Sequence, residues 1–188
     1  MRLTARLALA TLAGALTFAV AAPAQAAAPT QAHRTTPVAS ATHDDLCRQD
    51  REFLRRAHQS NLAEITGGYV ALTRSSRADV RHIARMLIED HRRLDRDVRA
   101  TARRYDVALP ATPSARQIRE LLAVSTRPAR TFDRAWLRLQ EVSHVRTLAL
   151  IDAELRQGCA GDVRMLARAA RPVVREHLQM VRAALRRS

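Results

Sequence analysis

Residues 80–102 read VRHIARMLIEDHRRLDRDVRATA. Val80, Ile83, Ala84, Leu87, His91, Leu94, Val98 and Ala102 recur at intervals of three and four, which is the spacing of one helical face. Arg92, Arg93, Arg96 and Arg99, interleaved with Asp95 and Asp97, fall on the other faces and read as a solvated surface. The stretch is therefore an amphipathic helix that must bury its stripe against other helices. Ser76-Arg77-Ala78-Asp79 resembles a capping box with Asp in place of Glu and marks its start, and it ends near Tyr105. His91 sits in a core slot of this stripe, and that placement sets the question for the rest of the chain.

Three more long helices surround it. A first helix starts near Asp44 and runs to about Leu72, with Phe53, Ala57, Asn61, Glu64, Gly68 and Ala71 on its stripe. Gly67-Gly68 inside it costs roughly 1 kcal/mol per glycine relative to Ala, which close packing on a neighbouring backbone or a kink would explain. A third helix runs from about Pro128 to Gln157, stopped by Gly158, with Leu137, Gln140, His144, Leu148, Ile151 and Leu155 inward. Its Trp136 is expected against the linker or in a helix groove. The fourth begins after Gly161 with Asp162 as cap and continues to about Arg186, on a stripe of Val163, Leu166, Ala170, Val174, His177, Val181 and Leu185. Pro172 inside it removes one hydrogen bond and predicts a kink. Residues 106–127 form a long connection with one short helix, signalled by the capping-box spacing of Ser114 and Gln117. No strand pattern is present, so the fold class is all-α.

Glu64, His91, His144 and His177 each lie on the apolar face of their own helix, about halfway along it. Apolar faces of packed helices point at a shared core, so one carboxylate and three imidazoles converge on a central level. His33, His43, His58 and His82 fall off these stripes and read as surface or tail residues.

Two cysteines constrain the topology. Cys47 opens the first helix and Cys159 lies in the turn before the fourth. In an exported chain two cysteines are expected to pair, and a disulfide needs Cα atoms about 4.4–6.8 Å apart. Helices of about 28 residues are about 42 Å long, so a simple up-down-up-down arrangement would put the two cysteines at opposite ends. They meet if the connection between the second and third helices runs back along the domain, which its length of over 20 residues permits at about 3.3 Å per residue. The result is an antiparallel four-helix bundle with a long crossover between helices two and three, the arrangement of ferritin-like folds.

Residues 1–26 read as a secretory signal peptide: Arg2 and Arg6, an apolar run from Leu7 to about Ala22, then Ala24-Gln25-Ala26 as cleavage site. The run is short for a membrane span. Residues 27–43, rich in Ala, Pro, Thr and Ser, read as a disordered tether, and 44–186 as the helical domain. The expected destination is the cell envelope or the exterior. The signal holds two Arg and no acid, so the formal +14 of the chain becomes +12 without it. Every basic residue other than His is Arg, which codon bias explains. Such a field favours polyanions, whether envelope polymers or an anionic membrane surface. Aromatics at 3% leave few platforms for stacking bases, so specific nucleic-acid recognition is not expected.

The segments AEITGGYVAL, IEDHRRLDRDV, Leu109-Pro110, Phe132-Asp133, EVSHVRTL and RPVVREHL, in this order, resemble an exported bacterial ferritin-like family known as domain of unknown function 4142. The resemblance spans about residues 45–185 and implies a ferritin-like four-helix bundle, described loosely as an outer-membrane or secreted protein, with no established activity. The family pattern of Glu, Asp-His, His and His falls on Glu64, Asp90-His91, His144 and His177. Nothing in the chain resembles the strands of an outer-membrane barrel.

Di-iron sites in ferritin-like folds use two Glu-x-x-His pairs, and only Glu141-Val142-Ser143-His144 has that form here; Ile88 and Val174 hold the matching positions before His91 and His177. Two readings stay open. One divalent ion such as zinc, iron, manganese or copper would be held by Glu64, His91, His144 and His177, with Asp90 and Glu141 behind them. Alternatively the layer is metal-free and only structural, in a non-enzymatic protein that works through its Arg-rich exterior; the absence of a close motif such as His-x-x-x-His leans this way. No Ser/His/Asp set, Gly-rich phosphate loop or zinc-finger cysteine pattern occurs. No catalytic residue is assigned.

Overall fold

The computed structural model describes residues 46–187. The signal peptide, the tether and the expected start of the first helix at Asp44 lie outside them. Among the described residues there are five helices and no strand: α1 (Arg48–Arg74), α2 (Ala78–Arg104), α3 (Ala115–Ser125), α4 (Ala129–Gln157) and α5 (Gly161–Arg186).

The caps explain these boundaries. α1 begins at Cys47 because the Asp50 carboxylate accepts the Cys47 N–H at 2.9 Å, satisfying a donor that the helix leaves open. The same buried carboxylate accepts the N–H groups of Cys159 at 3.0 Å and Ala160 at 3.3 Å. One side chain thus caps two helices, and α5 starts at Gly161 with Ala160 as its cap instead of Asp162. The Ser76 capping box does not form. Arg77 is the cap of α2 and holds Asp79 at 2.8 Å, while Asp79 also accepts the Val80 N–H at 2.9 Å. The Ser114–Gln117 box does form, the Gln117 side chain accepting the Ser114 N–H at 2.9 Å. α5 runs as one helix through Pro172.

α1 packs on α2 and α4, α5 packs on α2 and α4, and the short α3 lies against α4 and α1. Each long pair is antiparallel. Ser60 meets Thr147 while Gly67 meets Trp136 across α1 and α4, and Asp152 and Glu141 of α4 meet Arg171 and Arg182 of α5. His58 and Asn61 of α1 meet Asp95 and His91 of α2. Cys47 and Cys159 form a disulfide with Cα atoms 5.9 Å apart, so α1 and α5 start side by side.

Gly68 explains its own place in a helix. A Cβ there would lie 2.6 Å from Ile88 Cγ1 and 3.0 Å from the Ala84 carbonyl oxygen, so α1 and α2 approach more closely than any side chain allows. Trp136 is fully buried and donates Nε1–H to the Gly67 carbonyl at 2.9 Å. Its indole fills a helix groove with its one polar atom satisfied.

The buried hydrocarbon falls into two clusters. Phe53, Leu54, Val98, Ile151, Val163 and Val174 pack at the disulfide end; Val80, Leu87, Phe132, Trp136, Leu137 and Val181 pack at the other. On each long helix buried polar residues lie between them: Asn61 and Glu64, His91, Gln140 and His144, His177. Burying each large apolar side chain contributes about 1.5–3 kcal/mol. A polar slab inside such a core needs a compensating interaction.

Candidate metal centre

α2, α4 and α5 each deliver one imidazole to the slab. His91, His144 and His177 are each 1% exposed, and their ring centroids form a near-equilateral triangle with sides of 5.6, 5.3 and 5.4 Å. One ligand atom from each lies within 4.8 Å of the other two. Register produces this: in antiparallel neighbours a residue near the middle of one helix meets a residue near the middle of the next.

The second nitrogen of every ring faces outward to an oxygen. His91 Nδ1 is 2.9 Å from Asn61 Oδ1, His144 Nδ1 is 2.8 Å from the Gln140 backbone carbonyl, and His177 Nε2 is 3.0 Å from Asp90 Oδ2. An amide oxygen, a carbonyl and a carboxylate only accept hydrogen bonds. Each imidazole therefore carries its proton on the outward nitrogen, which leaves a bare lone pair on the other. Those bare atoms are His91 Nε2, His144 Nε2 and His177 Nδ1, and all three are buried with no hydrogen-bond partner. Three acceptors with no donor between them cannot satisfy one another.

A proton is a poor substitute for a cation at this point. Burial pushes the His144 imidazole down to about 4, with the nearby His177 acting in the same direction and the Gln140 carbonyl opposing. Burial holds His91 well below its ordinary range, with His144 and His177 adding to the effect. His177 is lowered by burial as well, though Asp90 pulls it back up. All three rings are neutral near pH 7, the state in which imidazole is a ligand.

Of the four residues picked out on the stripes, the three histidines are brought together and Glu64 stands outside their set. Its buried carboxyl is hydrogen-bonded to Ser143, the neighbour of His144, and burial raises it to about 8 against the effect of that bond. Its Oε2 has no partner. Asp90 lies behind a histidine, but behind His177 instead of its neighbour His91. Glu141 bonds Arg182 Nε at 2.8 Å on the exterior. Asn61 and the Gln140 backbone carbonyl orient His91 and His144 without having been singled out for it; the one sequence signal was that Asn61 interrupts an apolar stripe, since a backbone carbonyl leaves none. The surface reading of His58 is corrected: it is 5% exposed, and its Nδ1 is 2.6 Å from Asp95 Oδ1. His82 is exposed, and His33 and His43 lie outside the described residues. Cys47, Asp50 and Cys159 also cluster, but both sulfurs are spent in the disulfide and Asp50 is engaged by backbone N–H groups.

No helix among the described residues is long and apolar enough to cross a membrane. Among solved structures, the chain is similar to one described as the crystal structure of a DUF305 fragment from Deinococcus radiodurans, with a TM-score of 0.68 and 22% identity over 76% of this chain and 99% of that one. At that identity the likeness is one of fold. No curated protein matches the chain. The family described as "Domain of unknown function (DUF4142)" matches residues 34–184. With nearly all of the helical domain inside that match, the chain belongs to the DUF4142 family.

Proposed function

We propose that this protein is an exported, ferritin-like four-helix domain, with α3 in its crossover connection, that holds one divalent ion between His91, His144 and His177. The side-by-side starts of α1 and α5 and the short helix between α2 and α4 support that topology. The observation that carries the metal reading is the direction of the protons: three outward N–H groups engaged by acceptors, three inward nitrogens bare and converging. Histidines that ligate metals are held in this way, by a carboxylate, a carbonyl or an amide on the far nitrogen. A metal-free layer would leave the three lone pairs facing each other.

Three imidazoles suit zinc, copper or iron(II) and leave positions for water or for the Glu64 carboxyl. One carboxylate is too few to bridge two irons, so a di-iron oxidase centre is disfavoured. Elemental analysis and zinc or iron(II) titration of wild type, His91→Ala and His144→Ala test the reading. Wild type is expected to bind about one ion per chain, as three-histidine sites do, and each variant to lose it; equal metal content in all three proteins would dispose of the site.

The exterior supports a second, compatible reading. Arg96, Arg99 and Arg103 project from the exposed face of α2, and the charge after the signal peptide is strongly positive. Binding to anionic vesicles or wall polymers that weakens steeply with salt would support it, and binding that ignores salt would count against it.

A further inference from the structure

Where an acid is in reach, the surface arginines take it: Arg104 pairs with Asp162, Arg146 with Glu120, Arg171 with Asp152 and Arg182 with Glu141. One row on α2 is different. Arg92, Arg96, Arg99 and Arg103 succeed one another at intervals of four, three and four residues, and all four are exposed. Such spacing keeps them on one face of the helix, over about 16 Å of its length. Among the described residues none of the four forms a salt bridge. Arg92 is held instead by Tyr69, donating from Nη2 to the hydroxyl at 2.5 Å with its guanidinium 5.6 Å from the ring centroid.

The acids nearby do not neutralise the row. Asp95 lies four residues before Arg99, the spacing at which opposite charges meet on a helix, but its Oδ1 is turned to His58 of α1 at 2.6 Å. Glu89 and Asp90 are drawn to Arg93. Asp97 is left as the one acid along the row with no basic partner among the described residues. Like charges three and four residues apart repel and weaken a helix. The row therefore opposes the helix that carries it, and an anion lying along it would remove the opposition.

Arg92, Arg96, Arg99 and Arg103 line a shallow groove of about 530 Å³ beside α1, whose Ile65 lines it as well. A concave strip of charge fits a chain better than a flat array of headgroups, which meets only what protrudes. Guanidinium forks match phosphate oxygens two at a time. No aromatic ring lines the groove, so bases would find no platform there. The chemistry left is a flexible chain with a phosphate in every short repeat and no bases. Phosphodiesters joined by a small polyol recur at an interval comparable to the roughly 5–6 Å between neighbouring side chains of the row.

We infer that the arginine groove of α2 binds a linear polyol-phosphate chain, with one phosphodiester on each of Arg92, Arg96, Arg99 and Arg103. This rests on the second reading above and gives it a face and a partner.

The test is calorimetric titration of the full chain with poly(glycerol phosphate) at several salt concentrations. Each phosphate that sheds its counterions adds about 0.7 to the slope of log affinity against log salt for a single strand. The variant Arg92→Gln/Arg96→Gln/Arg99→Gln/Arg103→Gln is therefore expected to lose about three from that slope and to bind about tenfold more weakly or worse at low salt. Arg138→Gln/Arg156→Gln/Arg168→Gln/Arg175→Gln removes the same charge from exposed positions on α4 and α5 and is expected to keep the wild-type slope. Asp97→Asn takes away the unpaired acid and should tighten binding, a gain that a misfolded protein could not produce. Equal losses in the two quadruple variants would mean that the polymer reads net charge alone, which overturns the groove and leaves the second reading standing. Phosphatidylglycerol vesicles that bind as tightly as the polymer, phosphate for phosphate, and lose as much in the α2 variant would make the partner a membrane and overturn the chain. Wild type that binds neither probe overturns the groove and the second reading together.

Discussion

His177 donates its Nε2 hydrogen to Asp90 across the α2–α5 seam at 3.0 Å, and Asp90 is the residue immediately before His91. One short segment of α2 therefore supplies both an imidazole of the layer and the carboxylate that orients another. Asp90→Asn keeps the shape but removes the charge that makes the His177 ring a better donor to a metal. Such a change behind a ligand typically weakens metal affinity about 10–100-fold. Competition for zinc against a chromophoric chelator would measure it, and an Asp90→Asn affinity equal to wild type would show that the pair serves packing alone.

The metal-free protein should be most stable near neutral pH. His91, His144 and His177 titrate lower when folded than when unfolded, with His144 falling from 6.5 to about 4. Below pH 6.5 the unfolded chain takes up protons that the folded one refuses, so their contribution is lost as the pH falls from 6.5 toward 4. Glu64 is raised from 4.5 to about 8 and Glu154 to about 7, both chiefly by burial. Their sign is opposite: the stabilisation is full below 4.5 and is lost as the pH rises through 7 and 8. Urea denaturation in the presence of a chelator, repeated from pH 5 to 9, is expected to give a curve falling on both sides. A midpoint that rises steadily to pH 9 would contradict the burial of Glu64 as a neutral acid.

Gly68→Ala should destabilise, although alanine is the better helix former by about 1 kcal/mol. The new methyl would meet Ile88 and, at 3.0 Å, the Ala84 carbonyl oxygen, which as helix backbone cannot step aside. Overpacking of this kind costs about 1–3 kcal/mol. Thermal unfolding should show a lowered midpoint, and an unchanged or higher one would mean that α1 and α2 are farther apart than described.

Replacing both cysteines by serine removes a bridge between positions 112 residues apart. Chain-entropy arguments put the cost near 4–5 kcal/mol for a loop of that size, and measured losses are typically about 2–4 kcal/mol. Asp50 still ties the Cys47 N–H to those of Cys159 and Ala160, so the variant is expected to fold at 25 °C with a reduced denaturation midpoint. A Cys47→Ser/Cys159→Ser protein as stable as wild type would mean that Asp50 alone fastens the two helix starts.

The helices were readable because long stripes repeat every three or four residues, and the convergence of His91, His144 and His177 was readable because each sits near the middle of its stripe. The spacing that paired Cys47 with Cys159 was readable for the same reason: helix lengths fix heights. What resisted reading were contacts that local pattern does not encode. Asp50 lies in the first turn of α1, where an acid is ordinary, and its second role depends on a backbone 109 residues away. Asp90 and His91 are neighbours in sequence, but adjacent side chains of a helix do not face each other, so the carboxylate serves another helix. His58 read as surface because its polar partner Asp95 belongs to no apolar stripe. Ser76 lost its cap to Arg77 because an arginine–carboxylate fork holds Asp79 more strongly than a serine amide would.

The polar slab between two hydrocarbon compartments has a mechanical meaning as well as a chemical one. If any long helix slid by one turn, about 5.4 Å, an imidazole or Glu64 would enter hydrocarbon and a leucine or valine would arrive opposite the remaining rings. Apolar cores alone tolerate such slippage, because one greasy rung looks much like the next. Here the middle rung differs from all the others, and it acts as a detent that lets the four rods click into one alignment only.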